Sequence, residues 1–257
     1  MNTAQYIPFE CISAIMIKDP DFPDYPFFRG TGFFVKFSTY QDIFFVTARH
    51  CIKNNDNSDL SNILQIPINT EKFKNQSVPF SSYLETRYAS DENESDREDV
   101  IVFVVSDNIS NEIRNILLDR ALPLQNQENV NLIINDIISQ KGKVRSVGFP
   151  DIATNIDYDA NQSVIQPRGF HADLIEKGDL ENRYKIDNLS WKEGSLNGFS
   201  GSPILAFCQI PKIKNGKLVF NIVATPIGVF VTSKYFISIN VVTNLIGEYL
   251  ARYKENC

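Results

Sequence analysis

Several things this sequence lacks narrow what it can be. Its 257 residues contain no Lys/Arg-rich run and carry a formal net charge of −6. The cationic footprint that nucleic-acid binding requires is therefore missing. No stretch approaches eighteen apolar residues, which argues against a membrane-spanning helix. Met1 to Pro8 has no basic start followed by an apolar run, so it does not read as a secretory signal. The four cysteines, at 11, 51, 208 and 257, are too far apart for a CxxC-type metal site. No phosphate loop, metal cluster or cofactor fingerprint is present. Without an export signal, reduced thiols and a cytoplasmic location are the expectation. Histidine is scarce as well: His50 and His171 are the only two.

What the chain does have is aromatic and β-branched. Nineteen Phe and ten Tyr, with frequent Val and Ile, favour strands. Apolar runs come in short pieces: Cys11 to Lys18, Gly32 to Phe37, Ile43 to Thr47 and Val100 to Val105 in the first half. In the second half they are Lys143 to Phe149, Pro203 to Ile210, Leu218 to Val223, Ile227 to Val231 and Tyr235 to Ile239. Ser163 to Ile175 and Arg183 to Ile186 carry weaker strand signals. Turn-forming segments separate these runs. Ser38 to Asp42 suggests a hairpin turn, Asn215-Gly216 is a strong one, and Asn54 to Asn62 and Ser90 to Asp99 read as loops. Ile113, Ile116 and Leu117 suggest a turn of helix, and the Asn/Gln-rich stretch that follows reads as a linker. Val242, Leu245, Ile246, Tyr249, Leu250 and Tyr253 recur at helical spacing, predicting one amphipathic helix over about 241–254. Many short strands with turns between them, and no βαβ alternation, suggest antiparallel barrels or sandwiches.

Three local patterns carry chemistry. A strand ends in Thr47-Ala48-Arg49-His50-Cys51. Asp99 precedes the strand from Val100 to Val105. Gly198-Phe199-Ser200-Gly201-Ser202-Pro203 flanks a serine with glycines. Each alone has an ordinary reading as a packed histidine, a turn aspartate or a Gly/Ser turn. Their order in the chain, His then Asp then Ser, differs from that of subtilisin and of the α/β-hydrolases. No histidine follows Ser200, as an α/β-hydrolase would need. His171, with Asp173 two residues on, is the one rival base and is kept only as a contact near a substrate cleft.

Together these motifs resemble those of the trypsin-like serine peptidases, in the style of bacterial members. Gly30-Thr31-Gly32-Phe33, Val147-Gly148-Phe149-Pro150 and Phe236 to Asn240 are similar to other segments of that family. The resemblance implies an all-β, chymotrypsin-like fold of two antiparallel six-stranded-type β-barrels with a C-terminal α-helix. Residues 1–125 would form the barrel carrying His50 and Asp99, and residues 126–257 the barrel carrying Ser200. It implies a serine endopeptidase acting on protein or peptide substrates, with Ser200 as nucleophile, His50 as base and Asp99 orienting the base. The N–H groups of Gly198 and Ser200 would form the oxyanion hole. Gly194 and Ser195 would lie at the base of the specificity pocket and Val231, Thr232 and Ser233 along one wall. None of these is charged, so a small or apolar side chain is the expected preference, although Glu193 and Tyr235 are near enough in sequence to alter it. No cofactor, metal, nucleic acid or membrane is expected.

The sequence also departs from the family. Phe199 stands where zymogen-type members carry an Asp that pairs with a freed N-terminus, and no activation site is found. That implies an enzyme needing no N-terminal processing. Cys51 lacks its usual partner, because the hairpin from Gly30 to Val35 has no cysteine. The alternative is a latent or inactive module of the same fold that senses peptides or awaits a regulatory protein partner. An esterase using the same three residues is not separated by sequence.

Overall fold

The computed structural model describes residues 9–18, 21, 26–37, 41–53, 59–68, 70–73, 76–86, 98–157, 162–214 and 217–255. The N-terminal octapeptide, Asp19-Pro20, most of the turn from Ser38, the centre of the Asn54 loop, most of the acidic loop and Asn215-Gly216 lie outside them.

The first half contributes β1 (Ile12–Ile17), β2 (Phe27–Lys36), β3 (Ile43–Thr47), β4 (Leu64–Gln65), β5 (Phe80–Leu84), β6 (Ile101–Val105) and the short β7 (Leu122–Pro123). They form a seven-stranded sheet in the order β4-β1-β2-β3-β6-β5, with β7 added to β2 in parallel. The edges β4 and β5 are drawn together just beyond their ends. There Val78 N–H donates to Ile66 O at 2.8 Å and Ile68 N–H to Gln76 O at 3.1 Å. This half is thus a curved half-barrel strapped across its open side.

The second half contributes β8 (Lys143–Gly148), β9 (Thr154–Asp157), β10 (Gln162–Ile165), β11 (Arg168–Lys177), β12 (Arg183–Asp187), β13 (Pro203–Lys214), β14 (Lys217–Thr232) and β15 (Tyr235–Ser238). Six of these close a barrel in the order β11-β12-β15-β14-β13-β8, and β9 and β10 pair separately. The all-β architecture with a closing helix is as the motifs implied.

Helices α1 (Asn111–Arg120), α2 (Gln127–Ser139) and α3 (Ile239–Glu255) complete the chain. The stretch read as an Asn/Gln-rich linker is α2. Asn126 caps it by accepting the Asn129 N–H at 2.8 Å, and the buried Val130 and Ile134 hold it to the body. Capping and burial of this apolar stripe outweigh the modest helix propensity of its Asn residues.

Why β3 is buried throughout, and apolar from Ile43 to Val46, follows from its neighbours. Ile43 to Thr47 are all buried. On one side Phe45 meets Phe34 and Phe80, with ring centroids 5.0 and 5.9 Å away. On the other, Tyr249 of α3 sets its ring edge against Phe44 at 6.2 Å. With α3 covering the sheet, no strand face is left for water, so the usual alternation of polar residues is lost. Among the described residues no helix is long and apolar enough to cross a membrane.

Candidate active site

The end of β3 delivers His50. After Thr47 the chain turns into a single 3-10 turn, Arg49–Cys51. Glu85 grips that turn from both sides: it accepts Arg49 Nε at 3.2 Å and Lys53 Nζ at 2.8 Å. Asp99 sits two residues before β6, and β6 pairs with β3. The register therefore sets Asp99 beside the end of β3. Its backbone carbonyl accepts Arg49 N–H at 3.2 Å, Oδ1 accepts His50 N–H at 2.9 Å, and Oδ2 bonds the ring Nδ1 of His50. One carboxylate thus holds both the main chain and the ring of His50. A tie from the second barrel lies next door, where Asn182 Nδ2 donates to Glu98 Oε1 at 2.7 Å.

Burial would pull the His50 pKa down. The hydrogen bond and charge of Asp99, with a smaller contribution from Cys51, outweigh it and lift the imidazole from 6.5 to about 10. The ring is 43% exposed, so solvent screens part of that pull, but its direction is upward.

Ser200 comes from the turn between β12 and β13, and the first half of the chain fastens that turn. Its carbonyl accepts Thr31 N–H at 2.9 Å and the Cys51 thiol at 3.6 Å. The backbone of Ser200 therefore rests against the residue that follows His50. Thr31 also acts through its hydroxyl, which donates to Gly198 O at 2.7 Å and accepts Phe149 N–H at 2.9 Å. Ser200 Oγ makes no hydrogen bond to a described group. Such contacts often tighten only when substrate arrives.

The orientation of the Gly198 peptide follows from its neighbours. Asn197 O accepts Asp151 N–H at 3.0 Å. In a trans peptide the following N–H points the opposite way, so Gly198 N–H is turned away from Asp151. Gly198 has φ +88°, and a Cβ there would lie 2.3 Å from Phe149 O and 2.8 Å from the Phe28 ring. Only glycine fits. Phe199 N–H is taken by Leu196 O and Gly201 N–H by Phe230 O. The N–H groups of Gly198 and Ser200 have no acceptor among the described residues. Two unclaimed donors on one short turn can hold a developing oxyanion.

The remaining residues singled out by sequence fall as follows. Gly194 has φ +109°, and Trp191 Nε1 donates to Gly194 O at 3.1 Å and to Ser195 O at 3.2 Å. Val231 is buried and Thr232 and Ser233 are exposed at the end of β14. Tyr235 stacks under the Arg183 guanidinium at 5.4 Å. His171 is on the outer face of β11, in a groove of about 870 Å³ shared with Arg145 and α2. Burial and the positive charges of Arg145 and Lys143 lower its pKa. It forms no part of the His50–Ser200 arrangement. The roles of Thr31 and Trp191 were not assigned from sequence. The Gly30-Thr31-Gly32 motif was the available signal for Thr31, and for Trp191 there was none.

Structure also explains the unpaired Cys51. Its Sγ lies 2.7 Å from where a Cβ on Gly30 would be, and Ser200 O lies 3.0 Å from the same point. Gly30 occupies the position facing the thiol, and Cys11, Cys51 and Cys208 are all free. Gly30→Cys is therefore expected to close a bond to Cys51 in oxidising buffer. The loop of about 20 residues would be worth about 3 kcal/mol and raise Tm by ~10 °C. Thermal melting with and without reductant checks it, and identical melts would refute it.

No protein-family model and no curated protein sequence matches this chain. Solved structures do. A thermostable serine protease, AL20, from an extremophilic microorganism aligns with TM-score 0.53 and 9% identity, over 92% of this chain and 95% of that one. The protease Anisep from Arthrobacter nicotinovorans aligns with TM-score 0.52 and 12% identity, over 92% and 93%. Neuropsin, a serine protease expressed in the limbic system of mouse brain, aligns with TM-score 0.51 and 12% identity, over 96% and 97%. The chain has the trypsin-like serine-protease fold.

Proposed function

We propose that this protein is a serine endopeptidase that hydrolyses peptide bonds through an acyl-enzyme at Ser200. The observation that carries this reading is the pair of unclaimed N–H groups at Gly198 and Ser200, on a turn tied to the residue next to His50. In this mechanism His50, held in one tautomer by Asp99, takes the Ser200 proton as Oγ attacks the carbonyl carbon. The carbonyl oxygen becomes an oxyanion between the two N–H groups. His50 then returns the proton to the leaving amine, and water repeats the sequence to free the acid. Losing one oxyanion donor from such a site costs ~100- to 1,000-fold in kcat.

No chain cleavage is needed in this reading. Phe199 is fully buried and its apolar ring replaces any ion pair with a new N-terminus. The uncharged Gly194, Ser195, Val231, Thr232 and Ser233 support a small or apolar residue before the scissile bond. Free cysteines at 11, 51 and 208 support a reducing, cytoplasmic setting.

Treating the intact protein with a fluorophosphonate tests the proposal. The expected result is one adduct per chain, mapped by mass spectrometry to Ser200 with Met1 still in place. An unlabelled Ser200 would instead favour the latent module awaiting a partner. Labelling that begins only after trimming would overturn the claim that no processing is needed.

A further inference from the structure

Phe199 cannot make an ion pair, yet it lies in the middle of the turn that must hold the oxyanion donors. Its ring is 0% exposed. Phe170 meets it edge-on at 5.1 Å and Trp191 edge-on at 5.2 Å. Phe170 in turn packs edge-on against Phe230 of β14 at 5.4 Å. Trp191 is the chain's only tryptophan, and it does two things at once. Its ring closes the cage around Phe199, while its Nε1–H is shared between Gly194 O and Ser195 O. The residue before it is pinned too: Ser190 N–H donates to His171 O and Ser190 Oγ accepts His171 N–H, both at 2.8 Å. Downstream, Ser195 Oγ accepts Asn197 N–H at 3.1 Å.

We propose that Trp191 is a positioning residue that locks the expected pocket base, Gly194-Ser195, to the oxyanion turn through Phe199, so that both exist preformed in the uncleaved chain. This rests on the peptidase reading above and adds what holds its site in shape. Edge-to-face aromatic contacts have preferred geometry, so the ring pair fixes an orientation as well as filling space. The shared indole N–H then transmits that orientation to two carbonyls. Neither part touches the reacting atoms.

Two variants separate the two links. Trp191→Phe keeps the ring edge on Phe199 but loses the N–H. It is expected to raise KM for apolar peptide substrates ~5- to 10-fold with kcat nearly unchanged, about the effect of one lost hydrogen bond. Trp191→Ala loses both links and is expected to lower kcat ~100-fold as well, comparable to misplacing an oxyanion donor. In the wild type, Trp191 emission should stay constant on acylation, because nothing needs to rearrange. Unchanged kcat and KM in Trp191→Phe, or a large emission shift on acylation, would overturn the proposal. Hydrogen exchange of residues 194–201 tests the lock without any turnover: protection should fall in Trp191→Ala, and unchanged protection would also overturn it. A wild type that fluorophosphonate leaves unlabelled, but whose 194–201 protection depends on Trp191, would instead remove the peptidase reading and leave the lock.

Discussion

His50→Ala should slow acylation of a peptide ester by about a million-fold, the scale of loss when the base is removed from a serine triad. A serine hydroxyl is a poor nucleophile at neutral pH, and in this reading His50 is the group that takes its proton. The only other histidine, His171, sits on the outer face of β11 in a separate groove. Ser200→Ala should cost about as much, and the double variant little more, because in the proposed mechanism the two groups act as one unit. Fold should survive, since the His50 side chain is 43% exposed and its main-chain bond to Asp99 remains available. Single-turnover kinetics, with thermal melting as the control for folding, measure this. A loss below tenfold, or losses that multiply in the double variant, would show that Ser200 and His50 do not work together.

Asp99→Asn should cost ~10,000-fold in kcat and also move the pH profile. The carboxylate now accepts from both His50 N–H and Nδ1. An amide offers only one oxygen, so its NH2 must face one of these two donors or force the ring into the wrong tautomer. Only neutral His50 can accept a proton, so activity rises with pH through the pKa of His50. In the wild type Asp99 lifts that pKa from 6.5 toward about 10, placing the acid limb of kcat/KM above pH 6.5. Without the Asp99 charge, burial pulls the pKa down, and the limb should shift to lower pH. The same linkage affects stability. The His50–Asp99 pair contributes fully below the unfolded pKa of about 6.5 and fades as pH rises through the raised folded value. A limb that stays put in Asp99→Asn would remove Asp99 from this role.

How much of this could be read from residues depended on how local each signal was. The short strands were legible because Ile, Phe and Val run together between turn residues, and α3 because its apolar residues keep a helical step. His50, Asp99 and Ser200 could be proposed from the sequence because each lies in a short motif and histidine is scarce. Helix α2 was not, because its Asn and Gln residues look like linker, while its cap and buried Val130 and Ile134 have meaning only against the folded body. The missing partner of Cys51 was evident from composition, but that Gly30 faces the thiol is a matter of strand register. Likewise nothing near position 191 announces that its indole reaches both Phe199 and two carbonyls, because those contacts are made by the fold and not by sequence spacing.

Thr31 joins the two halves at one point, bonding Gly198, Ser200 and Phe149 of the second half while its own carbonyl accepts Thr47 Oγ1 at 2.8 Å. The site is therefore a conjunction. In the peptidase reading the first half supplies the base, His50, and the second the nucleophile, Ser200, so either half expressed alone would carry only one of the two. Neither half alone would retain a weakened version of that chemistry, whereas a chain nicked in the connection between Pro123 and Lys143 keeps the hydrogen bonds that hold the two halves together.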